Sequence, residues 1–159
     1  MTALLAEICA IESPSTDPPA VAAMATRLAA DAEAVGLVPE LVPVTGGGPI
    51  LRARGPKGTA EGSHPVMLLG HLDTVWPLGT LAARPVRIED GRLYGPGCYD
   101  MKAGLVVALF ALRALHAQGL RPPVTIFFTP LEEVDCEPYR ALMESEMKAA
   151  AAVLDFEPA

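Results

Sequence analysis

Apolar positions along this chain fall into short blocks separated by proline, glycine and small polar residues, and the period within each block predicts its structure. Residues 3–10, ALLAEICA, have helical character, and ESPSTDPP at 12–19 ends it with prolines and small polar side chains. Asp17 stands where it can cap a second helix, with Pro18 and Pro19 in the first turn. That helix is predicted over about 20–35, with Val21, Met24, Leu28 and Ala32 on one apolar face and Gly36 as its stop. LVPELVPV at 37–44 reads as a strand interrupted by prolines, which places it at a sheet edge. A glycine turn at 46–48 and a short strand at 50–53 follow, then a polar surface loop, GPKGTAEGSH, at 55–64.

The second half alternates more clearly. PVMLL at 65–69 reads as a short buried strand, 76–80 as an ordered loop, and 86–94 as a small hairpin around Glu89, Asp90 and Gly91. Gly95, Pro96 and Gly97 bend the chain before a nearly apolar helix over 101–117, predicted to lie buried under a sheet. PVTIFFT at 123–129 is β-branched and aromatic, the signature of a central parallel strand. A helix over about 137–149 and a last strand, AAVLDF, at 151–156 complete the pattern. Strands alternating with helices predict an α/β domain. Its sheet is expected to be open, mostly parallel and flanked by helices, with any site at the carboxyl ends of its strands.

Composition narrows what such a domain does. The 159 residues make one domain's worth of chain, and a formal charge of −7 argues against a nucleic-acid backbone as partner. The amino terminus lacks the basic and apolar regions of a signal peptide, and no apolar run approaches the length that spans a bilayer, so a cytoplasmic location and no membrane partner are expected. Cys9, Cys98 and Cys136 are odd in number and unpatterned, which speaks against a disulfide framework or a cysteine zinc site. A hydrophobic fraction of 51% is high for this size. Either alanine-rich helices account for it, or some apolar surface is covered by further chain.

The candidate chemistry sits where strands end. In GHLDTVWPLGT, His71 and Asp73 are two apart at the end of a strand, so both leave the same face. An imidazole nitrogen is a good ligand for a borderline divalent metal, and an adjacent carboxylate can fix its tautomer. Such a pair is more often a plain hydrogen-bonded contact. Asp100 in YGPGCYDMK, Glu132 and Glu133 in TPLEEVD and Glu157 in DFEPA end later blocks. Taken singly, Asp100 reads as a helix N-cap and the paired glutamates as a solvated loop. One His with several carboxylates at strand ends suggests a two-metal hydrolytic centre. His64 and His116 read as surface and helix-end residues.

GHLDTVWP, GRLYGPGCYDMKAGL, FTPLEE and a terminal FEPA, in this order, resemble the dinuclear zinc peptidases and deacylases that include glutamate carboxypeptidase, acetylornithine deacetylase and succinyl-diaminopimelate desuccinylase. The likeness is strongest to the glutamate carboxypeptidase branch and covers nearly the whole chain, 1–159, as the amino-terminal portion of one catalytic domain. The resemblance implies that His71, Asp100 and Glu157 hold one divalent metal and that Asp100 and Glu133 begin the other, zinc first and cobalt as the alternative. It implies that Asp73 orients His71, and that Glu132 is the general base, taking a proton from a metal-bridged water during amide hydrolysis. It also implies a cis peptide between Asp100 and Met101, and a small-molecule or peptide substrate with a carboxylate.

This sequence departs from the family pattern at Leu131, where an acid usually precedes the two glutamates, at Ala103, and in VDCEPYR, which lacks the usual Gly-Ser. Cys136 falls where a serine is common. Relatives continue into a lid and dimerisation domain and a last His ligand, so little activity is expected of this chain alone and dimerisation only through the lid. The competing reading is a non-catalytic metal-binding or interaction module. A nucleotide-binding domain is disfavoured, because no glycine-rich phosphate loop follows the first strand.

Overall fold

The computed structural model describes residues 1–56 and 63–158, so most of the polar loop read over 55–64 lies outside the described residues. Helix α1 spans Thr2–Cys9 and α2 spans Pro18–Ala34, the latter capped as expected by the Asp17 side chain, which accepts from the Ala20 N–H at 2.9 Å. Val21, Met24, Leu28 and Ala32 are all buried. Strands β1 (Val38–Val42), β2 (Ile50–Arg54) and β3 (Val66–His71) follow. A one-turn helix α3 (Thr80–Ala83) stands just beyond the Gly79 end of the ordered loop, and β4 (Arg87–Glu89) and β5 (Arg92–Tyr94) form the hairpin. Asp90 and Gly91, at φ 50° and 74°, turn it, as the two-residue primed turn requires.

The helix predicted from Met101 begins later. Residues Cys98–Lys102 make a wide π-type turn in which Asp100 (φ −114°, ψ 106°) and Met101 (φ −122°, ψ 27°) are not helical, and α4 proper runs over Ala103–Ala117. The Asp100–Met101 peptide is cis. Strand β6 (Val124–Thr129) is buried along its whole length. Pro138 sits in a short 3₁₀ turn, Glu137–Tyr139, that precedes α5 (Arg140–Ala149), so the last helix starts three residues after the sequence expectation. Strand β7 covers Ala152–Asp155.

The five main strands are ordered β1-β2-β6-β3-β7. β3 is parallel to both β6 and β7, with His71 opposite Thr129 and Leu69 opposite Asp155. β1 and β2 add an antiparallel hairpin beside β6, and the proline-bearing β1 takes an edge as expected. Because β3, β6 and β7 run the same way, their carboxyl ends emerge together. Helices α1, α2 and α4 pack on one face against Leu68, Ile126 and Phe128. Met143 and Met147 of α5 cover the other, over Met67 and Phe127. The period-two alternation along β6 is what splits its side chains between the two layers. Among the described residues no helix is long and apolar enough to cross a membrane.

Two glycines let α4 approach the sheet. A Cβ on Gly70 would meet the side-chain ends of Leu105 and Met101 at 2.8 and 2.9 Å, and one on Gly104 would collide with the main-chain carbonyl of Phe156. Flexible side chains can yield at the first position, but backbone resists at the second. Gly104→Ala should therefore destabilise by about 1–3 kcal/mol in urea unfolding, although alanine is the better helix former. Burial pushes the Cys9 thiol up to about 12, with the nearby Lys102 charge opposing. At pH 8, a thiol reagent should modify the partly exposed Cys98 and Cys136 quickly and Cys9 only as the protein unfolds.

Candidate metal centre

The parallel strands deliver the predicted residues to one edge of the sheet. His71 is the last residue of β3, Glu132 and Glu133 lie in the turn after β6, Glu157 lies two residues past β7, and Asp100 arrives on the wide turn before α4. His71 is buried, and its Nε2 lies 3.1 Å from Asp100 Oδ1, 3.4 Å from Glu157 Oε1 and 3.9 Å from Glu132 Oε2. Donor atoms of His71, Asp100 and Glu133 lie within 4.8 Å of one another, as do those of His71, Glu132 and Glu157. All five residues expected around the cations are thus brought together, with His71 common to both groups. His64 stays outside, exposed and 3.1 Å from the Ala149 carbonyl, and His116 bonds to Val35 at the far end of α4.

His71 Nδ1 is 2.9 Å from the main-chain carbonyl of Asp73, while the Asp73 carboxylate is 3.4 Å away. A carbonyl only accepts, so Nδ1 carries a hydrogen in either charge state of the ring, and in the metal-free protein Nε2–H faces the acids, a proton that a bound cation would displace. The expected support of His71 by Asp73 therefore comes through backbone first and carboxylate second. The main-chain N–H of His71 donates to Met101 Sδ at 2.8 Å, which seats the end of β3 on the turn that carries Asp100.

The Asp73 carboxylate does more than face the imidazole. Its Oδ2 accepts from Ser15 Oγ at 2.6 Å and from the Glu133 N–H at 3.2 Å, and its Oδ1 accepts from the Glu132 N–H at 3.2 Å. Burial opposes its ionisation, but the bonds from His71 and Ser15, the His71 charge and the Glu133 N–H outweigh it and hold Asp73 below the usual carboxylate range. His71 shows the reverse balance: burial opposes its charge, yet Asp73, Glu157 and Asp100 lift it to about 9.

The outer acids are crowded. Partial burial, with the charges of Asp100, Glu132 and Asp155, raises Glu157 to about 7 against the pull of His71, and partial burial with Asp100 raises Glu133. Carboxylates that repel one another around an imidazole nitrogen able to give up its proton form a donor set suited to divalent cations of borderline hardness, and the residues present fit such a group. A cavity of about 240 Å³ opens beside them, lined by Glu132 and Glu157 together with Thr129, Tyr139, Met143 and Met147.

Three residues of this neighbourhood escaped the sequence reading. Ser15 and Glu12 sit in ESPSTD, which reads only as a helix terminator, yet Glu12 accepts from the Gly79 and Leu81 N–H groups at 2.8 Å and so holds α3. Lys102 is buried and donates from Nζ to the Ile11 carbonyl at 2.7 Å, its pKa lowered by burial to about 8. A lone cation at the head of a nearly apolar helix was the available signal.

A family profile described as peptidase family M20/M25/M40 matches residues 67–158. Carboxypeptidase G2 of Pseudomonas sp. (strain RS-16) is 39% identical over 100 residues, covering 62% of this chain and 24% of that protein. Among solved structures, the M20 family metallo-carboxypeptidase Sso-CP2 from Sulfolobus solfataricus superposes with a TM-score of 0.80 at 22% identity, over 97% of this chain and 36% of that one. Human carnosine dipeptidase 1 gives 0.79 at 20% identity, over 97% and 37% respectively. The chain thus matches about a quarter of the first of these and little more than a third of the solved structures.

Removing the Asp73 carboxylate would strand three donors at once and take the counter-charge from His71. Asp73→Ala should cost about 3–5 kcal/mol in urea unfolding of the metal-free protein, as expected when one partner of a buried charged network is deleted. A loss under 1 kcal/mol would show that the carboxylate is not the junction its bonds describe.

Proposed function

Given that this chain belongs to peptidase family M20/M25/M40, we propose that it carries a two-cation centre for amide hydrolysis, of the carboxypeptidase or N-acyl amino acid deacylase type. The observation that carries the reading is the face of His71 Nε2, where Asp100 and Glu157 stand at 3.1 and 3.4 Å on the carboxyl edge of parallel strands. His71, Asp100 and Glu157 would hold one cation, and Asp100 with Glu133 would begin the other, zinc being the best match to a mixed nitrogen and oxygen set. When bound, such a pair supplies Lewis-acid polarisation of the amide carbonyl and lowers the pKa of a water.

The chain's own residues carry the proton. Glu132 has a half-exposed carboxylate 3.9 Å from His71 Nε2, on a turn whose main chain is tied to Asp73. In this role it takes a proton from the attacking water as the oxygen adds to the carbonyl carbon. It then passes that proton to the amide nitrogen as the C–N bond breaks. Asp73 holds Nδ1 protonated through its main chain and steadies the turn that bears Glu132. The substrate proposed is a small N-acyl amino acid or peptide with a free carboxylate.

Calorimetric titration with zinc tests the ligands. Wild type should bind, on the order of one ion or more per chain, His71→Ala should lose affinity by at least about tenfold, and Glu132→Ala should stay close to wild type. In the complete enzyme, with N-acyl glutamate as substrate, Glu132→Ala should lower turnover by roughly two to four powers of ten with metal content preserved. Loss of metal in that variant would make Glu132 a ligand and not the base. Zinc binding without any turnover in the complete enzyme would favour a metal-binding module.

A further inference from the structure

Segment 11–15 does not contribute a donor to the centre, yet it is bonded to the loop after β3 and to the turn that carries Asp100. The Ser13 hydroxyl donates to the Leu72 carbonyl at 2.8 Å, the Thr74 N–H donates to the Ser13 carbonyl at 2.9 Å, and the Ser15 N–H donates to the Thr74 carbonyl at 3.2 Å. Pro14 and Thr74 pair in register as a single parallel bridge. Glu12 holds the N–H groups of Gly79 and Leu81, and the Ile11 carbonyl receives the buried Lys102 ammonium from the turn that carries Asp100. The segment is a strap laid along the loop that follows β3.

One bond of the strap differs from the others. Ser15 Oγ donates to Asp73 Oδ2 at 2.6 Å, shorter than either main-chain donor to that carboxylate, which both stand at 3.2 Å. Ser15 and Asp73 are both buried, so water does not compete for the bond. A hydroxyl on an ionised carboxylate at this distance belongs to the stronger class of hydrogen bond. It sets the rotation of the carboxylate plane, and that rotation decides whether Oδ1 meets the Glu132 N–H and the imidazole while Oδ2 meets the Glu133 N–H.

We infer that Ser15 is a positioning residue for this centre. By fixing the Asp73 carboxylate, it sets the main chain of Glu132 and Glu133 relative to His71. The inference rests on the metal-centre reading for its functional meaning, but its geometric content stands on metal-free protein. Ser13 supplies an internal comparison, since it lies in the same strap, is also buried, and its hydroxyl bonds to the Leu72 main-chain carbonyl and not to the Asp73 carboxylate.

The test compares Ser15→Ala, Ser15→Thr, Ser13→Ala and His71→Ala in the full chain, by amide hydrogen exchange without metal and by zinc calorimetry. Ser15→Ala should speed exchange of the Glu132 and Glu133 amides by about tenfold or more, leave the β6 amides unchanged, and weaken zinc binding by about tenfold or more. Ser13→Ala should lower the melting temperature without moving either readout, and Ser15→Thr, which keeps the hydroxyl, should restore both. Equal effects from Ser13→Ala and Ser15→Ala would reduce Ser15 to a structural strap residue, and unchanged Glu132 and Glu133 amides in Ser15→Ala would overturn the inference. Should wild type and His71→Ala bind zinc alike, or not at all, the metal-centre reading falls, while the amide measurement still decides what Ser15 does.

Discussion

A carboxylate cannot stay ionised out of water unless donors replace its hydration, and at Asp73 those donors come from three separate stretches of chain. Ser15 arrives from the amino-terminal strap, His71 from the end of β3, and the N–H groups of Glu132 and Glu133 from the turn after β6. The requirement to satisfy one buried charge therefore fixes the mutual position of a histidine and two glutamates that lie far apart in sequence. The sheet alone would bring those stretches to the same edge. Asp73 gives them a defined relation within it.

Around that fixed junction the remaining acids are held in an unfavourable arrangement. Glu157 and Glu133 both have raised pKa values because they are partly desolvated beside other carboxylates. The fold maintains this crowding through features that have other reasons to exist. Parallel pairing of β3 with β6 and β7 places the strand ends together, and the close approach of Gly104 to Phe156 keeps α4 against the segment leading to Glu157. A cluster whose members repel one another is poised for cations in a way that an equally acidic but dispersed surface is not.

Much of this was legible before the structure. The apolar runs predicted β3, β6 and β7, and proline placed β1 at an edge. The rule that parallel strands offer their carboxyl ends as a site then pointed to His71, Glu132, Glu133 and Glu157, while Asp100, on the turn before α4, was added by the family resemblance. What stayed hidden has a common cause: it depends on contacts between segments distant in the chain. Nothing local to ESPSTD says that Ser15 will meet Asp73, because a serine between prolines reads equally well as a helix breaker. The start of α4 differs from the sequence expectation because Met101 and Lys102 look helical by composition, while Asp100 takes an extended and Met101 another non-helical backbone conformation. The distinction between Glu132 as base and Glu133 as ligand likewise comes from the resemblance, since both glutamates share donor groups with His71.

The two borders of the sheet are finished differently. β1 carries Pro39 and Glu40, which blunt it, whereas β7 reads Ala-Val-Leu-Asp, with Val153 37% and Leu154 50% exposed and no strand beyond it among the described residues. Its outer row of main-chain amides and carbonyls is a template for another β-strand. At neutral pH the formal charge of −7 keeps two molecules apart. Toward the sequence pI of about 4.9 that repulsion fades, and an uncovered β7 edge then meets the least electrostatic opposition to pairing with another strand.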